Sequence, residues 1–188
     1  MDTLCEKSAT ELAELIRVGQ TSSREVVEAH LNRIDQVNPY INAITMTLSE
    51  SALAAADKAD NAKDEDRQRP FHGVPFTVKE NIDLVGTPTT QGLAALAEAV
   101  PEQNAPIVDR MIHSGAIPIG RTNLPKMGAR LDTDNPLRGR TKNPWNRNLT
   151  PGGSSGGEAA KQPVHHPPPQ YRDIYRSQRD CESLKAYR

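Results

Sequence analysis

Residues 71–86 read FHGVPFTVKENIDLVG. Val74, Phe76 and Val78 alternate with other residues in the period of two that a β-strand needs, and a polar end follows. This predicts a strand that delivers Lys79 to its carboxyl end. Downstream, NAPIVDRMIHSG (104–115) places Ile107, Val108, Met111 and Ile112 on one helical side and stops at Gly115. AIPIGRTNL (116–124) is again a short apolar run with a polar end. Strand, crossover helix and strand make an α/β unit, in which helices cover a sheet.

Working back from that unit, the sequence turns helical. Ser8 with Glu11 and Ser22 with Glu25 are two capping boxes, each a serine whose hydroxyl bonds the third helical amide while the glutamate returns the bond. The first introduces Leu12, Leu15 and Ile16. The second opens REVVEAHLNRIDQV (24–37), with Val27, Leu31 and Ile34 as its apolar stripe, and Asn38-Pro39 is expected to end it. INAITMTL (41–48) suits a short strand and SESALAAADKADNAK (49–63) an alanine-rich helix. KDEDRQRP (63–70) reads as an exposed linker. Residues 1–68 are therefore expected to form an N-terminal helical layer, and 69–160 an α/β core.

Working forward, a stretch near 126–152 rich in Asn, Gly, Pro and Arg is longer than connections usually are unless they serve a site. It leads into GGSSGG (152–157). Beyond Ala160 the sequence becomes KQPVHHPPPQ, which helix interiors reject at about 3 kcal/mol per proline. Residues 161–188 hold six basic and three acidic side chains and are expected to be a disordered tail.

Composition narrows the function. Lysine plus arginine number 23 against 24 acidic residues, so no overall field draws nucleic acid or an anionic membrane. Cys5 and Cys181 have neither disulfide-framework nor metal-ligand spacing. His72 and His113 lack ligand partners, so no metal or cofactor is expected. MDTLCEKSAT has no basic stretch before an apolar one, and no apolar run approaches a membrane span. A cytoplasmic location is the expectation.

Two places invite chemistry. Lys79 is either a solvent-facing lysine paired with Glu80 or Asp83, or an amine whose desolvation makes it a base near neutral pH. GGSSGG is a flexible linker, an anion-cradling nest or a loop that positions a hydroxyl for proton transfer. It lacks the GK[ST] of a phosphate loop and the glycine spacing of a dinucleotide fold.

Together FHGVPFTVKENIDLVG, GRTNLPKMG (120–128) and GRTKNPWNRNLTPGGSSGGEAA (139–160) resemble the amidase signature family of C–N hydrolases. The likeness extends over residues 8–160. It implies the first half of that family's fold, a mixed, mostly parallel sheet covered by helices. It further implies a serine–serine–lysine mechanism in which Lys79 is the base and Ser154, held on a cis peptide in the family, is the bridging serine. Ser155 would support the site, and Gly152, Gly153, Gly156 and Gly157 would allow the loop to pack closely. The family's nucleophilic serine falls here on Gln178, in IYRSQRDCE, with Ser177 adjacent but no Asp-x-Gly-Gly before it. The resemblance therefore implies an amidase by ancestry that lacks its nucleophile and is inactive as this chain. A small-molecule amide would be its substrate only with the missing half present. The alternatives are an interaction fragment that self-associates or pairs with a complementary chain, and a truncated product without function.

Overall fold

In a computed structural model, residues 4–161 are described. The expectations placed on the tail, on Gln178 and on Ser177 lie outside them. The protein is α/β. Helices α1 (Ala9–Arg17) and α2 (Ser23–Ile41) precede strand β1 (Ile44–Thr47), and helices α3 (Ser49–Asp60) and α4 (Asp64–Arg67) follow it. Strand β2 (Pro75–Lys79), helix α5 (Pro106–His113) and strand β3 (Ile117–Thr122) come next, and α6 (Gly156–Lys161) closes the described chain.

Both capping boxes form. Ser8 and Ser22 each accept a backbone N–H from the glutamate three residues on, and that glutamate accepts the serine's own N–H. Glu11 and Glu25 are accordingly held below the usual carboxylate range, first by these backbone bonds.

Two local expectations are corrected. Helix α2 does not end at Asn38-Pro39 but runs on to Ile41. A proline this close to a helix end removes one hydrogen bond, and the last turn is held from outside. Val37 and Ile41 are buried with Ala43 and Ala160, while the Asn38 side chain bonds the backbone of Ala43 and Ile44. The chain then leaves through Asn42 in the left-handed region, φ 51°. The expected linker 63–70 contains the single turn α4, because Arg67 folds back to donate to the carbonyls of Ala62 and Asp60.

The sheet has the order β1-β3-β2. Central β3 is antiparallel to β1 and parallel to β2, so the sheet is mixed. The parallel pair is the predicted crossover through α5, since parallel neighbours need a long connection. Gly120 lets β1 approach β3, because a Cβ there would stand 2.9 Å from the Met46 carbonyl oxygen. Helices α2 and α3 bury Val27, Leu31, Ala52 and Ala56 against Ile117 and Ile119 of β3. Each larger side chain among these is worth about 1.5–3 kcal/mol of burial. A second cluster joins Val78 of β2 to Leu84 and Val108, which fixes α5 on the strand that carries Lys79. Among the described residues no helix is long and apolar enough to cross a membrane.

Candidate active site

Strand alternation decides where Lys79 points. Val78 enters the cluster with Leu84 and Val108, so its neighbour Lys79 leaves on the other side of β2. There its Nζ donates to Ser154 Oγ and to Ser155 Oγ, both at 2.9 Å. The carboxylate next to it in sequence goes elsewhere. Glu80 is 1% exposed and accepts from Thr90 Oγ1 at 2.6 Å and from Arg138 Nε and Nη2 at 3.1 and 2.9 Å. Lys79 therefore forms no ion pair with Glu80. Its ammonium is pushed below the ordinary lysine range by burial, and the carboxylate of Glu158 partly offsets this.

GGSSGG is packed, not a free linker. Gly153 faces the carbonyl of Arg130, which a Cβ would meet at 2.7 Å, and Gly157 faces the backbone of Asn123 at 2.5 Å. Gly156 abuts the Thr133 side chain more closely still. The Gly153–Ser154 peptide is cis. Gly152, at φ +92°, takes up the backbone conformation that only glycine adopts without strain.

What holds this loop was not anticipated from the sequence. Thr133 is fully buried; its hydroxyl donates to the Gly152 carbonyl at 2.9 Å and accepts the Gly156 N–H at 3.1 Å. Asn123 donates to Thr141 Oγ1 at 3.0 Å and accepts from Asn135 Nδ2 at 2.8 Å. Asn135 in turn accepts the Arg138 N–H at 2.7 Å. The irregular stretch from 126 to 152 is thus fastened by buried polar side chains. Its richness in Asn and Thr was the available signal, but composition does not say which of them point inward.

Helix α6 completes the site. Glu158 Oε1 accepts from Thr77 Oγ1 of β2 at 3.1 Å and from Thr122 Oγ1 of β3 at 2.7 Å. Lys161, the last helical residue, pairs with Glu158 Oε2 at 2.7 Å and also donates to Thr77 Oγ1. Lys161 was expected to begin the tail, yet it ends this helix.

An amine touching two hydroxyls in a partly desolvated place can exchange a proton with them, and one hydroxyl can pass a proton from a third group to the amine. Among the described residues no cluster of His, Cys, Asp or Glu is arranged to hold a metal ion.

A family model described as Amidase matches residues 25–161. The chain is 46% identical over 151 residues to an indoleacetamide hydrolase of Bradyrhizobium diazoefficiens, covering 80% of this chain and 29% of that protein. It is 40% identical over 161 residues to fatty-acid amide hydrolase 2-B of Danio rerio, covering 81% of this chain and 31% of that one. Among solved structures it is similar to a fatty acid amide hydrolase, with a TM-score of 0.79 at 32% identity over 84% of this chain and 28% of the other. A bacterial aryl acylamidase of the amidase signature family gives a TM-score of 0.74 at 32% identity, covering 82% of this chain and 33% of that one. The chain spans about a third or less of the length of these relatives.

Proposed function

Since this chain belongs to the amidase family, we propose that its 188 residues carry the base and the relay of an amide-hydrolysing site without the serine that attacks. Lys79 is the base and Ser154 the relay; Ser155 and the glycines at 152, 153, 156 and 157 support them. The observation behind this is the 2.9 Å contact from Lys79 Nζ to Ser154 Oγ, on a lysine already pushed toward its neutral form by burial.

In the complete reaction a serine hydroxyl adds to the amide carbonyl and gives its proton to Ser154 Oγ. Ser154 passes its own proton to the Lys79 amine. The relay then runs back to protonate the leaving nitrogen as the C–N bond breaks, and water hydrolyses the acyl-serine in the same manner. The substrate class is a carboxamide, the products a carboxylate and ammonia or an amine. The family resemblance puts Gln178 where the attacking serine would stand; an amide cannot act as that nucleophile, and on this reading the expected outcome is no turnover. The reading also expects a cytoplasmic protein, which cell fractionation tests.

Two measurements bear on it. Purified 188-residue chain is incubated with simple carboxamides and ammonia is assayed; release that disappears in both Lys79→Ala and Ser154→Ala overturns the inactive reading. A chimera in which residues 25–161 replace the matching part of the Bradyrhizobium hydrolase tests the roles directly. Lys79→Ala or Ser154→Ala in that chimera is expected to lower kcat by about 10²–10⁴, and unchanged kcat refutes the assignment.

A second reading has its own support. Among the described residues β2 pairs only with β3, and a groove of about 570 Å³ runs along all five β2 residues, past Val37, Ile41, Ile107 and Met111. An open edge beside apolar walls invites another strand. On this reading the chain is an interaction fragment that pairs with a complementary amidase segment. Sedimentation with and without such a segment tests it, and a strictly monomeric, non-associating chain removes it.

A further inference from the structure

Glu158 does more than an acidic residue in a first helical turn ordinarily does. Its usual role would be an exposed pair with Lys161 three residues on. Here one oxygen accepts hydroxyls from two different strands, Thr77 of β2 and Thr122 of β3. Thr77 lies on the same strand side as Lys79, two residues before it, and Thr122 is the residue paired with Lys79 in the parallel register. The other oxygen holds Lys161. The helix so clamped begins at Gly156, directly after the two serines that touch Lys79.

We infer that Glu158 is a positioning residue for Lys79 and Ser154. By fastening the first turn of α6 to both β2 and β3 it sets where the two hydroxyls stand, and it places beside the amine a negative charge that Lys161 balances. The inference rests on the reading of Lys79 as the base. Several charged groups of the elements packed around the amine are engaged elsewhere. Arg121 of β3 turns away, donating to the Ile82 carbonyl at 2.9 Å, and Glu80 is occupied by Arg138 and Thr90. His30 of α2 lines the same groove, but its ring is bonded to the Val26 carbonyl at 2.8 Å. The offset that Glu158 exerts on the Lys79 ammonium is consistent with this placement.

The test is the rate at which Lys79 is modified by an amine-specific reagent, read peptide by peptide by mass spectrometry on the 188-residue chain. Only the neutral amine reacts, so the rate reports the charge environment without any turnover. Glu158→Gln keeps an oxygen acceptor and removes the charge; it is expected to raise the rate about threefold near pH 8, which half a pKa unit produces. Lys161→Met leaves the carboxylate uncompensated and is expected to slow the reaction by a similar factor. It lies at the end of the helix and keeps the inference testable if Glu158→Gln does not fold. An unchanged rate in Glu158→Gln overturns the inference. Faster modification in both variants also overturns it, because it means only that the site has loosened. The failure of the underlying reading looks different: these opposite shifts would persist while the chimera's activity ignored Lys79→Ala.

Discussion

Lys79 Nζ lies 2.9 Å from Ser154 Oγ across 75 residues of sequence, and Ser155 Oγ stands equally near. The amine thus meets neutral hydroxyls, while Glu158, the carboxylate that partly offsets the effect of its burial, is engaged by two threonines and a lysine. Burial lowers its pKa, and the sign of the consequence follows. Between the folded value and the unfolded value of about 10.4, the unfolded chain binds the proton more, so stability rises with pH through that window. Urea denaturation as a function of pH is expected to show this rise in the wild type and to show less of it in Lys79→Met. Equal slopes in the two proteins refute it.

Glu80 and Arg138 join β2 to the irregular stretch in a nearly dry place. Glu80 is 1% exposed and Arg138 24%. Removing the guanidinium strands a buried carboxylate, so Arg138→Met is expected to cost about 3–5 kcal/mol. Glu80→Gln with Arg138→Met should recover part of that loss, because no buried carboxylate is then stranded; the recovery stays partial because the buried Arg121 loses the charge of Glu80 and keeps that of Asp83. Denaturant midpoints of the two single variants and the double variant measure both effects, and simple additivity would contradict the pairing.

Gly157 touches backbone on two sides, the Asn123 N–H nitrogen at 2.5 Å and the Ala43 carbonyl oxygen at 2.7 Å from where a Cβ would sit. Backbone cannot swing aside, so Gly157→Ala is expected to destabilise by about 1–3 kcal/mol or more. Gly86→Ala is the control: its φ is +82° but nothing lies within 4 Å, so only the conformational cost of about 1 kcal/mol applies. Thermal melts of the pair should rank Gly157→Ala as the more damaging.

Burial lowers the pKa of His30, while its bond to the Val26 carbonyl opposes that shift. Below about pH 6.5 the unfolded histidine gains a proton that the folded one resists, so stability falls as pH falls through that range. The capping glutamates Glu11 and Glu25 act at lower pH. Their pKa values are depressed in the fold, so their contribution is present above about 4.3 and is lost as they protonate. Melting His30→Gln beside wild type between about pH 6.5 and 5 separates the two effects; the variant should lose less stability there.

Much of the fold could be read locally. Ser8 with Glu11 and Ser22 with Glu25 fix two helix starts because a capping box is made within four residues. The alternation around Val78 defines β2, and the spacing of Ile107, Val108 and Met111 defines α5, since each depends on a local period. The end of α2 was not legible, because Ile41 is kept helical by Ala43 and Ala160, and the latter is distant in sequence.

The sequence by itself determined the α/β succession, the family likeness and the presence of a lysine strand and a glycine–serine loop. Only the tertiary structure decided that Lys79 turns from Glu80 to Ser154 and Ser155, and that Thr133, Asn135, Arg138 and Glu158 hold the parts together. The physical reason is range. Capping and periodicity act over a few residues and leave their mark in the local order of the chain. A buried polar side chain must find its partner wherever the fold brings one, and residue order does not record that meeting.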